Sequence, residues 1–337
     1  MTSGVIRTVT GDITPDALGP TLAHEHLLCD ITPLELAAQG LPEVEITLEN
    51  VFEIRHHWCR HAGNNRLDSV DVAVAEQAPF RAAGGSALVE LTVQGIAPDP
   101  LGLRVISERA GVAVIAGCGW YTVDFAGPVL AAKTPMEMER ELVEAVEQGT
   151  GGTGVRAGII GEIGCSRPLH ALERKALVAA ARAQAAITIH PGRDAAAPHE
   201  ILDVLEANGA RPERVIIGHL DRTLFHIDDV LRLAGRGSGL EWDFFGIESS
   251  YYPFAPIDLP NDGRRLELIR AVIDRGYGEQ VLIAHDICTR TRLRRFGGHG
   301  YAHISENVVP VMRRKGFTAA EIDLLLIDNP RRFLALS

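Results

Sequence analysis

The chain contains no apolar run of 18 residues, so its sequence offers no helix able to span a bilayer. Basic residues are outnumbered, 33 Lys and Arg against 44 Asp and Glu, for a net charge of −11. Nucleic-acid surfaces need clustered cations. The one basic cluster, Arg290 to Arg295, is short and reads as a local anion site. Cysteine is sparse: Cys29, Cys59, Cys118, Cys165 and Cys288 are odd in number and lack CxxC spacing. That argues against a disulfide framework or an all-cysteine zinc site and suits reduced thiols in the cytoplasm. The segment Met1–Arg7 shows no basic stretch followed by an apolar one, so no secretory signal is expected. No Gly-rich turn follows the first predicted strand, which weighs against a doubly wound dinucleotide-binding sheet. Gly151-Gly152-Thr153-Gly154 sits between a helix and the next strand, the wrong end for phosphate binding, and reads as a flexible loop.

What is present is an alternation. Apolar residues make up 46% of 337, enough for a large core, and no linker or composition shift divides residues 1–337 into two domains. Residues 1–20 read as an N-terminal hairpin about the turn signal Gly11-Asp12. Residues 27–64 are irregular, with one short helix within 49–61 whose His56, His57 and His61 read as a helix face. Strands are predicted at 21–26, 87–93, 112–117, 158–163, 187–190, 214–219, 240–244 and 281–286. Helical spacing fills the intervals, at 70–83, 99–110, 135–148, 169–184, 198–208, 227–233 and 264–275, with more at 303–315 and 318–327. Val/Ile/Leu-rich strands alternating with helices imply a parallel sheet covered by helices. Eight such units predict an α/β fold, a (β/α)8 TIM barrel with a short N-terminal β-hairpin.

Barrel active sites lie at the C-terminal ends of the strands. His24 and His26 close the first strand, two apart, so side-chain alternation puts them on one face and turns Glu25 away. Glu162 is on the fourth strand, His190 on the fifth, His219 on the sixth and Asp286 on the eighth. Glu90, mid-strand, and Asp243 read instead as satisfied polar residues. Four histidines and two carboxylates suit a two-metal site, with Glu162 able to bridge two cations through its two oxygens. Such cations would lie ~3.5–4 Å apart and share a water of lowered pKa. Asp286 could both ligate a metal and take a proton from that water.

These residues also carry a family resemblance. Gly19 to His26, Gly158 to Cys165, His190-Pro191-Gly192-Arg193, His219 to Thr223, His285-Asp286 and Gly297 to Tyr301 follow in one order along nearly the whole chain. The chain resembles the phosphotriesterase-like branch of the amidohydrolase superfamily, and most closely the phosphotriesterase-related proteins. The resemblance implies two divalent ions, zinc with manganese or cobalt as alternatives. It further implies that His24, His26 and Asp286 hold the more buried ion, and His190 and His219 the more exposed one. Where the best-known members carry a carbamylated lysine, this chain has Glu162. That supplies the bridging carboxylate without modification and weakens the case for organophosphate substrates.

The implied function is metal-dependent hydrolysis by a metal-bridging hydroxide, on the amide bond of an N-acyl amino-acid-like or N-acyl aminosulfonate compound. Lactonase or phosphotriesterase activity is the alternative, and a non-catalytic ligand-binding barrel the alternative from another class. The partner is a small molecule, not nucleic acid or membrane, and the chain could assemble as a homodimer. Tyr121, Arg193, Arg222 and Arg290 are candidates to bind substrate, since arginine after a ligand strand can pair with a carboxylate, sulfonate or phosphate. Arg292 follows by the same reasoning, Trp120, Tyr251 and Tyr252 could line the pocket walls, and His299 is expected to play a structural role. Cys165 is expected to pack away from Glu162, and Cys288 to approach the pocket.

Overall fold

The predicted Val/Ile/Leu runs form eight strands: Thr21–Glu25, Ala87–Glu90, Ala113–Cys118, Ile159–Gly164, Ile187–His190, Val215–Ile217, Gly239–Trp242 and Val281–Ile283. The computed structural model describes residues 4–183 and 185–336. All eight strands are parallel, and each pairs with its neighbour in sequence. The first and eighth meet where Asp286 N donates to His24 O at 3.2 Å. The result is the expected (β/α)8 barrel.

Two apolar layers show which way the strand residues face. Leu22, Leu88, Val114, Ile160 and Ile187 pack with helix residues such as Phe80 and Leu103, outside the barrel. Ala23, Val89, Ile115, Ile159, Ile216 and Leu282 form a separate inner cluster. Ile6 of the hairpin and Phe333 of the last helix join that cluster, plugging the end at which the strands begin.

Strict alternation after Ala23 would send His24 outward, and after Ile159 it would send Glu162 outward. The register shifts between Leu22 and Glu25, and again between Ile160 and Ile163. A bulge of this kind re-aims the following side chains, and both residues face the interior.

Several elements differ from expectation. The hairpin pairs Ile6–Thr8 with Gly11–Ile13, so its turn is Val9-Thr10, and Gly11-Asp12 lie within the second strand. A helix at Val123–Ala131 was not anticipated, because it contains Gly127 and Pro128; burial of Ala126 and Leu130 outweighs their poor propensity. The Gly-rich stretch after residue 149 forms a short 3-10 turn at Thr150–Gly152. The two late helices each contain a wide turn, Ile304–Val308 and Leu324–Asp328, ahead of Pro310 and Pro330. Proline has no N–H for the normal ladder, which opens at those points. Between the first and second barrel strands, three short helices (Leu34–Gln39, Val51–His56, Ala62–Asn65) and a two-stranded pair (Cys29–Asp30 with Arg66–Leu67) build one wall of the mouth.

Candidate metal centre

Glu162 is the hub. Its Oε2 lies 3.1 Å from His190 Nδ1, 3.3 Å from His219 Nε2 and 3.5 Å from His24 Nε2. Its Oε1 lies 3.6 Å from His26 Nε2. Asp286 Oδ1 sits 3.3 Å from His26 Nε2 and 3.9 Å from His24 Nε2. All six residues are buried. Their donor atoms form compact groups, one of His24, His26 and Asp286 and another of Glu162, His190 and His219. A third joins His24 and His219 to Asp243.

The far sides of the rings are tied down. His24 Nδ1 is 3.2 Å from both Glu241 Oε2 and Asp243 Oδ2. His219 Nδ1 is 2.9 Å from Asp243 Oδ1. His26 Nδ1 meets Thr92 Oγ1 at 2.9 Å, and that hydroxyl donates to Glu90 Oε1 at 2.6 Å. A carboxylate can only accept, and Thr92 has already given its proton away. When these rings are neutral, each Nδ1 therefore carries the hydrogen, and each Nε2 lone pair points to the centre. Outer partners of this kind orient metal-binding histidines.

Glu90 and Asp243, set aside on sequence grounds, thus belong to the site's support. Glu241 and Thr92 were missed altogether. The available signal was two carboxylates, Glu241 and Asp243, in the otherwise apolar seventh strand. Glu25 does turn away from the centre, and it accepts from His285 N at 2.9 Å and Ile287 N at 3.0 Å, fixing the backbone on both sides of Asp286.

The electrostatics favour a cation. Burial opposes charge on His24, yet Glu162, Asp243 and Glu241 hold its pKa well above the ordinary value. Burial opposes charge on Glu162 too, yet His24 and His190 keep it well below the usual carboxylate range. His24 Nε2 is fully buried without a hydrogen-bond partner. An acidic cluster with an orphaned imidazole nitrogen is a donor set that fits a divalent ion.

Above the centre opens a pocket of about 870 Å³. Tyr121 lines it, with its OH 3.1 Å from His190 Nδ1. Arg193 lines it, with Nε donating to Tyr252 OH at 3.0 Å and the Phe254 ring 5.0 Å from Cζ. Arg222 is buried at its base and committed to Pro191 O at 2.9 Å and His190 Nε2 at 3.0 Å. Arg290 is not brought to the pocket: it binds Arg66 O at 2.9 Å and Asp68 Oδ1 at 2.7 Å, where the two-stranded pair offers nearer acceptors.

Arg292 instead turns inward, onto Asp286 O and Cys288 Sγ. Trp120 is buried in the core and Tyr251 stacks on His56, while His299 stacks on His285. Cys165 and Cys288 both reach the pocket wall, and all five cysteines are free and buried. His61 is not exposed on a helix face; it is buried and caps Ala62–Asn65 by accepting from Asn64 N.

The phosphotriesterase family model matches residues 4–334. N-acetyltaurine hydrolase of Bos taurus is 39% identical over 342 residues, covering 98% of this chain and 98% of that protein. Phosphotriesterase-related protein of Nematostella vectensis is 38% identical over 347 residues, covering 99% of each. Among solved structures, a resiniferatoxin-binding protein from Rhodobacter sphaeroides superposes with a TM-score of 0.92 at 35% identity, covering 99% of this chain and 95% of that one.

Proposed function

This chain belongs to the phosphotriesterase family and is a hydrolase of that type, and from that premise we propose that it cleaves the amide bond of an N-acyl amino acid or N-acyl aminosulfonate. The observation that carries the reading is the convergence of His24, His26, Glu162, His190, His219 and Asp286 on one buried point beneath a pocket of small-molecule size. The relatives named for hydrolysis of N-acetyltaurine supply the substrate class. We further propose that residues 1–337 act as one domain in the cytoplasm, consistent with five free thiols and with no described helix being long and apolar enough to cross a membrane.

In this reading His24, His26 and Asp286 would hold one divalent ion and His190 and His219 a second, with Glu162 placed to serve both and zinc the expected metal. Bound there, such ions supply Lewis acidity and make water more acidic. The chain's own groups do the rest. Asp286 Oδ collects the proton of the attacking water and returns it to the leaving nitrogen, because it is the pocket-facing carboxylate not enclosed by histidines. Tyr121 is half-buried beside Glu162, and both the desolvation of its phenol and that negative charge hold its pKa well above the ordinary phenol value. It therefore keeps its proton and can donate to the acyl oxygen. Arg193 is anchored through Nε, which leaves its terminal nitrogens for the acid group of the substrate. Arg222, already committed to His190 and Pro191, positions His190 instead of binding substrate.

A hydrolysis screen with Zn, Mn and Co over N-acyl amino acids, N-acyl aminosulfonates, lactones and aryl phosphotriesters tests the reading. Amide turnover that follows metal content is expected. A protein that takes up no divalent metal, or that turns over only lactones or phosphotriesters, would overturn it.

A further inference from the structure

A second cavity, of about 500 Å³, lies beside the substrate pocket. It is bounded by the segment around Val51–His56 and by the loops after the seventh and eighth barrel strands. Trp58 lines both cavities, while Arg55, Glu248, Arg292 and His299 line only the second.

Two guanidinium groups meet here, and among the described residues the only carboxylate oxygen within 4 Å of either is Asp286 Oδ2, 3.8 Å from Arg292. Arg55 donates to Thr291 O at 3.1 Å and Gly297 O at 3.0 Å, both neutral acceptors. Burial and the nearby Arg292 hold its pKa below the ordinary value. Arg292 is 6% exposed, with its Cζ 4.5 Å over the Trp58 ring. Its Nη1 reaches Asp286 O and Cys288 Sγ, but its Nη2 is buried with no hydrogen-bond partner. His299 Nε2 is also buried and unpartnered. Glu248, at the exposed rim, accepts from Asp262 N at 3.4 Å. A buried cationic donor without an acceptor is costly, and a bound oxyanion would remove the cost.

We propose that this cavity binds a small organic carboxylate, held by Arg55 and Arg292, and that its occupancy reaches the metal centre through Arg292. Two carboxylate oxygens match a guanidinium fork, and Phe52, Trp58 and Ile247 give a short alkyl chain an apolar wall. Arg292 also lies 3.8 Å from Asp286 Oδ2. A ligand that draws the guanidinium away changes the setting of the group that moves the proton. That second part rests on the hydrolase reading above. Hydrolysis of an N-acyl substrate releases a carboxylate of this class, so the site would answer to product.

The test uses the metal-loaded enzyme titrated with sodium acetate and propionate against chloride at fixed ionic strength. Tryptophan fluorescence reports binding, since Trp120 and Trp242 are fully buried and Trp58 is the one at the cavity. We expect a saturable change that vanishes in Trp58→Phe. Affinity should fall at least about tenfold in Arg55→Met, return largely in Arg55→Lys, and persist in Arg193→Met. Inhibition of amide turnover by acetate should be non-competitive. No saturable signal, full affinity in Arg55→Met, or loss in Arg193→Met with competitive inhibition would overturn the proposal. Arg55-dependent binding in a protein with no amide turnover would uphold the site and overturn the hydrolase reading instead.

Discussion

Asp286 and His219 both adopt left-handed backbone conformations, with φ of 50° and 54°. Residues with a Cβ hold such angles only where their surroundings over-determine them. For Asp286 the determinant is Glu25, which grips the amides on either side. We expect Asp286→Asn to keep most of its metal and to lose turnover by ~10²-fold or more. Metal content by emission spectrometry, read beside kcat, checks this; wild-type kcat would remove Asp286 from proton transfer. Asp243 makes a different prediction, because it supports both His24 and His219 without facing the pocket. Asp243→Asn should weaken metal affinity roughly 10–100-fold in a chelator competition while leaving the fold unchanged. Equal affinity would mean that the rings are oriented by packing alone. The six central residues were legible in the sequence because each is a polar residue closing an apolar strand. Asp243 was marked only as one of two carboxylates in an apolar strand, and its supporting role was hidden because its partners His24 and His219 come from other strands. The direction of Arg290 was hidden for the same reason: its acceptors, Arg66 and Asp68, are more than 200 positions away.

Elements set how those residues are aimed. Periodicity located all eight strands and most helices, but alternation alone gives the wrong face at His24 and Glu162. The correction comes from bulges, which depend on the neighbouring strand and leave no mark in the pattern. Close strand approach is the other hidden requirement. A Cβ at Gly117 would stand 2.1 Å from Gly161 O, so the third and fourth strands are spaced for glycine. Gly117→Ala should destabilise the fold by roughly 1–3 kcal/mol and lower metal content by displacing Glu162. Thermal melts and metal analysis measure both; an unchanged melt would show slack between these strands. At the helix Asp262–Asp274, Asp262 pairs with Arg265 and His303 and accepts from Gly246 N. Burial works against its charge, but these partners bring its pKa down to about 2. Because the folded value lies below the unfolded ~3.9, the stabilisation is complete well above that value and disappears as pH falls towards 2, amounting to about 2.5 kcal/mol. The stability gap between wild type and Asp262→Asn should therefore narrow from pH 6 to pH 3 in urea melts, and a constant gap would contradict this origin.

The molecule as a whole is a ring of strands with its polar contents gathered at one end. The other end is filled by apolar residues, including Ile6 from the hairpin and Phe333 from the last helix. The eightfold rhythm made the ring readable in sequence, whereas the plug joins the two ends of the chain and no short-range pattern reports it. This division of labour predicts how the protein responds to losing its metal. The candidate ligands come from the first, fourth, fifth, sixth and eighth strands or the turns just after them, so a bound ion ties the mouth together across the ring. The extensive apolar layer between strands and helices does not depend on it. Chelation should therefore lower the melting temperature while leaving the far-ultraviolet dichroism of the barrel intact. Mass action sets the size: an ion present at 100 times its Kd adds about 2.7 kcal/mol to the folded state, and each further tenfold adds ~1.4 kcal/mol. Adding zinc back should restore the transition in step with bound metal. In Glu162→Gln the shift on chelation should shrink for both ions together, since all four histidines face that one carboxylate. Two separate steps, with only one lost in Glu162→Gln, would show that the two halves of the centre are held independently and that Glu162 is not shared between them.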